Sequence, residues 1–288
     1  MMLYIKLIRF NNWIKNLFIF IPIFFAATIF ESDNFINTLI AFFAFSIITS
    51  FVYIVNDIFD IEFDKQHLEK RKRPIPSGKI SIKKSIVIAI FLLCIGLSVM
   101  YQISFNAFAL SIIYVALNFV YSLKLKHIPI IDFIIVSLGF VIRILIGGDI
   151  GSVHLTQWII LLVFLLSLFI SVTKRRDDVF QYENEQKMNR KVVDKYSVEF
   201  MDKSITIISS VLIVTYLLFI TSNDVIERYQ SPMLFLTFLP VLIGLLRYNQ
   251  ITYVYNRSGS PLKILYNDLF LQIVILSWLL MFGVIIYF

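Results

Sequence analysis

Cysteine occurs once in 288 residues, as Cys94. No intrachain disulfide can form, and the apolar run around Cys94 predicts a buried thiol. Charge is scarce as well, at 16% of residues, where soluble chains carry about 25%. A small-residue cleavage site is also missing. The apolar stretch 17–30 runs into Glu31-Ser32-Asp33-Asn34, so a retained first helix is expected rather than a secretory leader.

What fills the space is hydrophobic: 59% of residues, with a mean hydropathy of +0.83, against about 45–50% apolar in soluble domains. The excess falls in long blocks of Ile, Leu, Phe and Val, at roughly 13–30, 35–55, 85–101, 104–121, 128–148, 155–173, 204–222, 231–246 and 265–288. Each approaches the ~20 residues that cross a ~30 Å hydrocarbon core at ~1.5 Å per residue. The reading is an all-α, polytopic membrane protein of nine transmembrane helices, one domain over 1–288, with polar segments at 56–84 and 174–203.

A net charge of +7 suggests nucleic acid at first, but loop topology explains it better. With the N-terminus in the cytoplasm, the inner segments hold Lys6, Arg9 and Lys15, eight bases from Lys65 to Lys84, then Lys124 and Lys126. Eight more run from Lys174 to Lys203, and Arg247, Arg257 and Lys263 complete 24 of the 26 basic residues. Arg228 alone lies in an outer loop, and Arg143 sits inside a span. An asymmetry this strong supports nine spans with the N-terminus inside and function on the cytoplasmic face.

Asn56-Asp57-Ile58-Phe59-Asp60-Ile61-Glu62-Phe63-Asp64 follows the second span. Asp57, Asp60 and Asp64, spaced by three and four, share one face of a helix, with Asn56 beside them. Carboxylates crowded on one face repel one another unless a cation lies among them. Hard oxygen donors suit Mg²⁺, which commonly bridges to substrate phosphates. Lys70, Arg71 and Arg73 come next and would neutralise phosphate charge; Pro74 and Gly78 then turn the chain and Ser81 caps the following helix. A solvated helix end is the plainer alternative, but acids sorted before bases favour a metal-bridged diphosphate.

The run at Asn56–Asp64 resembles the Asn-Asp-x-x-Asp-x-x-x-Asp signature of the UbiA superfamily of intramembrane transferases, in its expected place after the second of nine helices. The extension through His67, Lys70, Arg73-Pro74 and Ser77-Gly78 resembles one branch, the decaprenyl-phosphate phosphoribosyltransferases. So do Trp13-x-Lys15-Asn16, Tyr121-Ser122-Leu123-Lys124-Leu125-Lys126 with Pro129 and Asp132, and Gly139-Phe140 with Arg143 and Gly147-Gly148. Lys174-Arg175 and the set Arg247-Tyr248, Gly259, Pro261 and Asp268 agree as well. Two departures stand out. Lys174-Arg175-Arg176-Asp177-Asp178 replaces the second Asp-x-x-x-Asp of the prenyltransferases, and Arg9-Phe10 replaces an Arg-Pro.

The resemblance implies a bacterial inner-membrane enzyme, multi-pass, with its active site facing the cytoplasm. It implies transfer of a 5-phosphoribosyl group from phosphoribosyl pyrophosphate to a polyprenyl phosphate, with no nucleic-acid partner and homo-oligomers left open. Asn56, Asp57, Asp60 and Asp64 would be the Mg²⁺ and catalytic set. Lys15, Lys70, Arg73, Tyr121, Lys126, Lys174 and Arg175 would bind substrate phosphates. Arg143 stays outside that set, since a straight helix carries it ~24 Å past His127, and His67 reads as surface packing or an outer contact. The alternatives are transfer of a prenyl group from prenyl diphosphate to an aromatic acceptor, and a non-enzymatic lipid carrier.

Overall fold

The computed structural model describes residues 2–66, 69–185 and 192–287. His67, and with it the expectation for that residue, lies outside them. The described residues are helical or irregular, without strands, and form two compact units, Met1–Leu155 and Thr156–Phe288.

The first unit opens with α1 (Met2–Leu7), an eleven-residue 3-10 segment (Phe10–Phe20) and α2 (Ile21–Phe25). Four long helices follow: α3 (Ser32–Phe59), α5 (Ile82–Ile103), α6 (Phe105–Leu123) and α7 (Ile131–Ile150), with short α4 (Ile61–Gln66) after α3. The second unit holds α8 (Gln157–Glu185), α9 (Val198–Thr221), α10 (Asn223–Tyr229), α11 (Phe238–Tyr253), α12 (Pro261–Asn267) and α13 (Leu269–Tyr287). Among the described residues, eight helical stretches are long and apolar enough to cross a membrane, and they coincide with eight of the nine apolar blocks.

The block at 13–30 is the exception, because only the five-residue α2 follows a 3-10 segment there and no long α-helix forms. Its aromatic and β-branched residues are indifferent helix formers, and Pro22 has no N–H to give at the start of α2. Tertiary ties complete the explanation: Asn16 donates to Ser46 Oγ at 2.8 Å, and Trp13 Nε1 to Ser50 Oγ at 3.1 Å, both on α3. At ~2.0 Å per residue the 3-10 stretch covers ~22 Å, and α2 adds about 7 Å.

Within the first unit α3 and α7 are interior, with 56% and 61% of their spans buried against 17% and 22% for α5 and α6. Their core joins Ala41, Ala44, Phe45 and Ile48 to Ile142 and Ile146, with Ile19 and Met100. Small residues let backbones approach. A Cβ on Gly147 would stand 2.0 Å from the Ile19 carbonyl oxygen, and one on Gly96 would stand 2.5 Å from Ile48 Cγ1. The buried positions of α5, namely Ser85, Ala89, Gly96 and Met100, follow the helical period. Cys94 falls off that stripe and is exposed, so the expected buried thiol is corrected to an outward-facing one.

In the second unit Phe169 of α8 meets Tyr248 of α11 edge-on at 5.3 Å between ring centres. Tyr216, Thr237 and Trp278 form a polar knot, with hydroxyls 2.7 Å apart and the indole N–H donating to Tyr216 at 2.8 Å.

Candidate active site

The acidic run begins inside α3 and continues into α4, with a break between them. Asp60 is the C-cap of α3 (φ −96°, ψ 7°), and the Asp64 N–H still donates to the Asp60 carbonyl at 2.7 Å. The three aspartates therefore keep the helical spacing but not one continuous helix. The chain then passes a short 3-10 turn at Lys70–Lys72 and reverses at Gly78 (φ 73°), where the left-handed backbone suits glycine. Ser81 caps α5 as expected, accepting the Lys84 N–H at 3.4 Å. Leu7, Ile54, Ile75, Ile80 and Ala89 pack beneath this turn and hold the basic loop against the end of α3.

Asp57 and Asp64 are buried, with side chains 3% and 2% exposed, whereas Asp60 is 27% exposed. Buried carboxylates need charged partners, and the basic residues supply them. Arg73 Nη1 lies 3.0 Å from Asp57 Oδ1 and 2.6 Å from Asp64 Oδ2, bridging the two. Arg9 also pairs with Asp57, its guanidinium 4.9 Å from the Tyr53 ring centre. Lys70 Nζ lies 3.9 Å from Asp64. Lys126, itself buried, pairs with Asp60. Asn56 donates to Asp60 Oδ2 at 3.1 Å and accepts from the Ser122 hydroxyl at 3.3 Å. Burial, reinforced by the neighbouring Arg9, pulls the Arg73 guanidinium below its ordinary pKa.

Four cations thus face three carboxylates at one end of the unit. Such a cluster can take a divalent cation on its acids and a phosphate on its bases. Among the described residues no three Asp, Glu, His or Cys side chains converge as a ready metal cage. Mg²⁺ does not require one, since it commonly takes one or two carboxylates and completes its shell with water and substrate phosphate. The accessible donors fit: Asp60 is the open carboxylate and Asn56 adds an amide oxygen one turn away, while Asp57 and Asp64 are paired with Arg73.

Of the residues expected from sequence, Asn56, Asp57, Asp60, Asp64, Lys70, Arg73 and Lys126 come together here. Lys15 lies on the 3-10 segment and Tyr121 near the end of α6, both half-buried. Lys174 and Arg175 belong to the second unit, on α8, which runs well past the end of its apolar stretch. Lys174 is exposed, and buried Arg175 lies 2.9 Å from Asp178. Asp177 accepts from Gln181 at 2.8 Å, and Arg176 binds Asp202 at 2.9 Å and also Asn256. A Cβ on Gly259 would meet Asp177 Oδ2 at 2.1 Å. Arg247 pairs with Asp268 at 2.7 Å. Much of the C-terminal pattern therefore ties helices together.

Arg9 and Ser122 stood in the sequence only as members of family motifs, Arg9-Phe10 and the Tyr121–Lys126 element, and were left out of the expected site. Arg9 lies 48 positions before Asp57, and no spacing rule connects them. Arg143, set aside from the site, is buried on an unbroken α7. Its Nε donates to Asn16 Oδ1 at 2.8 Å, its Nη2 to the Tyr114 hydroxyl at 3.2 Å and its Nη1 to the Gly139 carbonyl at 2.5 Å.

The chain is similar to known proteins over nearly its whole length. The chain is 29% identical over 278 residues to a decaprenyl-phosphate phosphoribosyltransferase of Corynebacterium glutamicum, covering 95% of this chain and 83% of that one. A Mycolicibacterium smegmatis protein of the same name is 29% identical over 294 residues, covering 99% and 92%. Among solved structures, a UbiA homologue from Archaeoglobus fulgidus bound to GPP and Mg²⁺ superposes with a TM-score of 0.72 at 19% identity, covering 99% of both chains. The UbiA prenyltransferase family matches residues 17–286, and the chain belongs to that family.

Proposed function

We propose that this protein transfers a 5-phosphoribosyl group from phosphoribosyl pyrophosphate to a polyprenyl phosphate, releasing pyrophosphate with the help of Mg²⁺. The observation that carries the reading is the paired cluster at the end of α3, where four bases face three carboxylates. The near-full-length similarity to decaprenyl-phosphate phosphoribosyltransferases supports the choice of donor and acceptor.

Asn56, Asp60 and Asp64, with Asp57 adjacent, would hold the Mg²⁺, which when bound offsets the charge growing on a leaving diphosphate. Arg9, Lys70, Arg73 and Lys126 bind phosphate oxygens and orient the donor. Lys15 and Tyr121 join them on the strength of the family pattern, which also makes Lys174 and Arg175 of the second unit candidates for phosphate. The bond from ribose C1 to the diphosphate breaks, and a phosphate oxygen of the acceptor bonds to C1. That oxygen is already anionic, so no side chain need remove a proton, and positioning with electrostatic stabilisation does the catalysis.

The lipid tail of the acceptor lies among the helices and its head at the cluster. The count of nine spans takes the 3-10 segment with α2 as the first crossing. The basic asymmetry sets the N-terminus and the cluster on the cytoplasmic face of a bacterial inner membrane.

Prenyl transfer to an aromatic acceptor is the second reading, favoured by the GPP bound to the Archaeoglobus relative. Against it, the acids where a second metal motif would lie are engaged by Arg175 and Gln181. Offering purified protein both donors, with a polyprenyl phosphate and an aromatic acid, separates the two. Ribosylated lipid without prenylated acid supports the first reading, and the reverse supports the second.

A further inference from the structure

Arg9 reaches Asp57 from an unusual backbone. Its φ of 52° and ψ of 49° are left-handed, a region costing a non-glycine residue on the order of 1–3 kcal/mol unless its surroundings impose it. One buried hydroxyl grips the chain on both sides of this corner. Ser50 Oγ lies 2.9 Å from the Ile8 carbonyl, just before the corner, and accepts the Trp13 indole N–H at 3.1 Å just after it. Seven residues past the corner, Asn16 donates to Ser46 and Thr49 and accepts from Arg143.

We propose that Ser50 is a positioning residue, holding the left-handed corner so that the Arg9 guanidinium stays against Asp57 in the diphosphate site. A serine inside a helix often only bonds back to its own helix, and the Ser46 carbonyl is also 2.9 Å from Ser50 Oγ. That bond explains neither the Trp13 contact nor the Ile8 contact. Ser50 lies two turns before Asp57 on the same helix, with Tyr53 between them, and the Tyr53 ring carries the Arg9 guanidinium. One stretch of α3 therefore fixes both the corner and the target of its side chain.

The inference rests on the proposed reading only for the identity of the diphosphate, so inorganic pyrophosphate with Mg²⁺ serves as the probe. Its affinity for the full-length protein in detergent is measured by titration calorimetry for wild type, Arg9→Ala, Ser50→Ala and the double variant. Loss of one hydrogen bond corresponds to roughly a three- to tenfold change in affinity. Ser50→Ala is expected to weaken binding by about that factor, and the double variant to bind no more weakly than Arg9→Ala. Multiplying effects, unchanged binding in Ser50→Ala, or no pyrophosphate binding by wild type would overturn the proposal. Trp13→Phe removes the indole N–H while keeping an aromatic ring against Phe10 and Phe43, and should weaken binding in the same direction, which covers a poorly folding Ser50 variant. Coupled pyrophosphate binding without ribosyl transfer would sink the donor assignment and leave the positioning role standing.

Discussion

Arg73 satisfies two buried carboxylates with one nitrogen, so its removal should be felt in stability as well as turnover. Replacing one partner of a buried ion group costs about 3–5 kcal/mol. Arg73→Met is expected near the lower bound, because Arg9 and Lys70 still reach Asp57 and Asp64. Thermal unfolding in detergent should show a lowered midpoint, with Arg73→Lys falling between because an ammonium lacks the planar fork. Asp60 differs, since its side chain is the most exposed of the three acids. Asp60→Asn should abolish turnover while lowering the unfolding midpoint less than Arg73→Met does, since it leaves one buried cation, Lys126, without its carboxylate. Asn56, the three aspartates, Lys70 and Arg73 were legible because helical spacing and local charge sorting mark them, and Lys126 through its place in the family's Tyr-Ser-x-x-Leu-Lys element. The pairing of Arg9 with Asp57 was not, although Arg9 stood in a family motif, because it reaches the site through a backbone corner that no spacing rule encodes.

At the scale of elements, long apolar runs marked the eight helical stretches among the described residues that are long enough to cross a membrane, since hydrocarbon thickness sets that length. The conformation of the remaining block was hidden because it is settled by partners distant in sequence. Asn16 and Trp13 bond to α3, and Ile19 lies against Gly147 of α7. Cys94 was misread for a similar reason: hydrophobicity announces a span, while its inward face depends on which neighbour it meets. Gly147 offers a direct test of the 3-10 segment's seat. Its added Cβ would collide with backbone, so Gly147→Ala should destabilise by about 1–3 kcal/mol or more. Gly283→Ala on α13, where nothing lies within 4 Å of the new Cβ, should be neutral or slightly stabilising in the same unfolding assay.

For the whole molecule, the proposed orientation rests on the basic residues that the nine-span topology gathers on one side. In a Cys94→Ser background, Ser32→Cys at the start of α3 should react with a membrane-impermeant thiol reagent added to intact cells. Lys79→Cys, in the turn after the acidic run, should react only once the cells are opened. The reverse pattern would invert the topology. The central claim is the transfer itself, and its most direct test uses detergent-purified protein with Mg²⁺, a polyprenyl phosphate and ribose-labelled phosphoribosyl pyrophosphate. Label should enter the organic phase only when acceptor and Mg²⁺ are both present, and should disappear with Asp60→Asn. Absence of labelled lipid from folded wild-type protein, or undiminished transfer by Asp60→Asn, would contradict it.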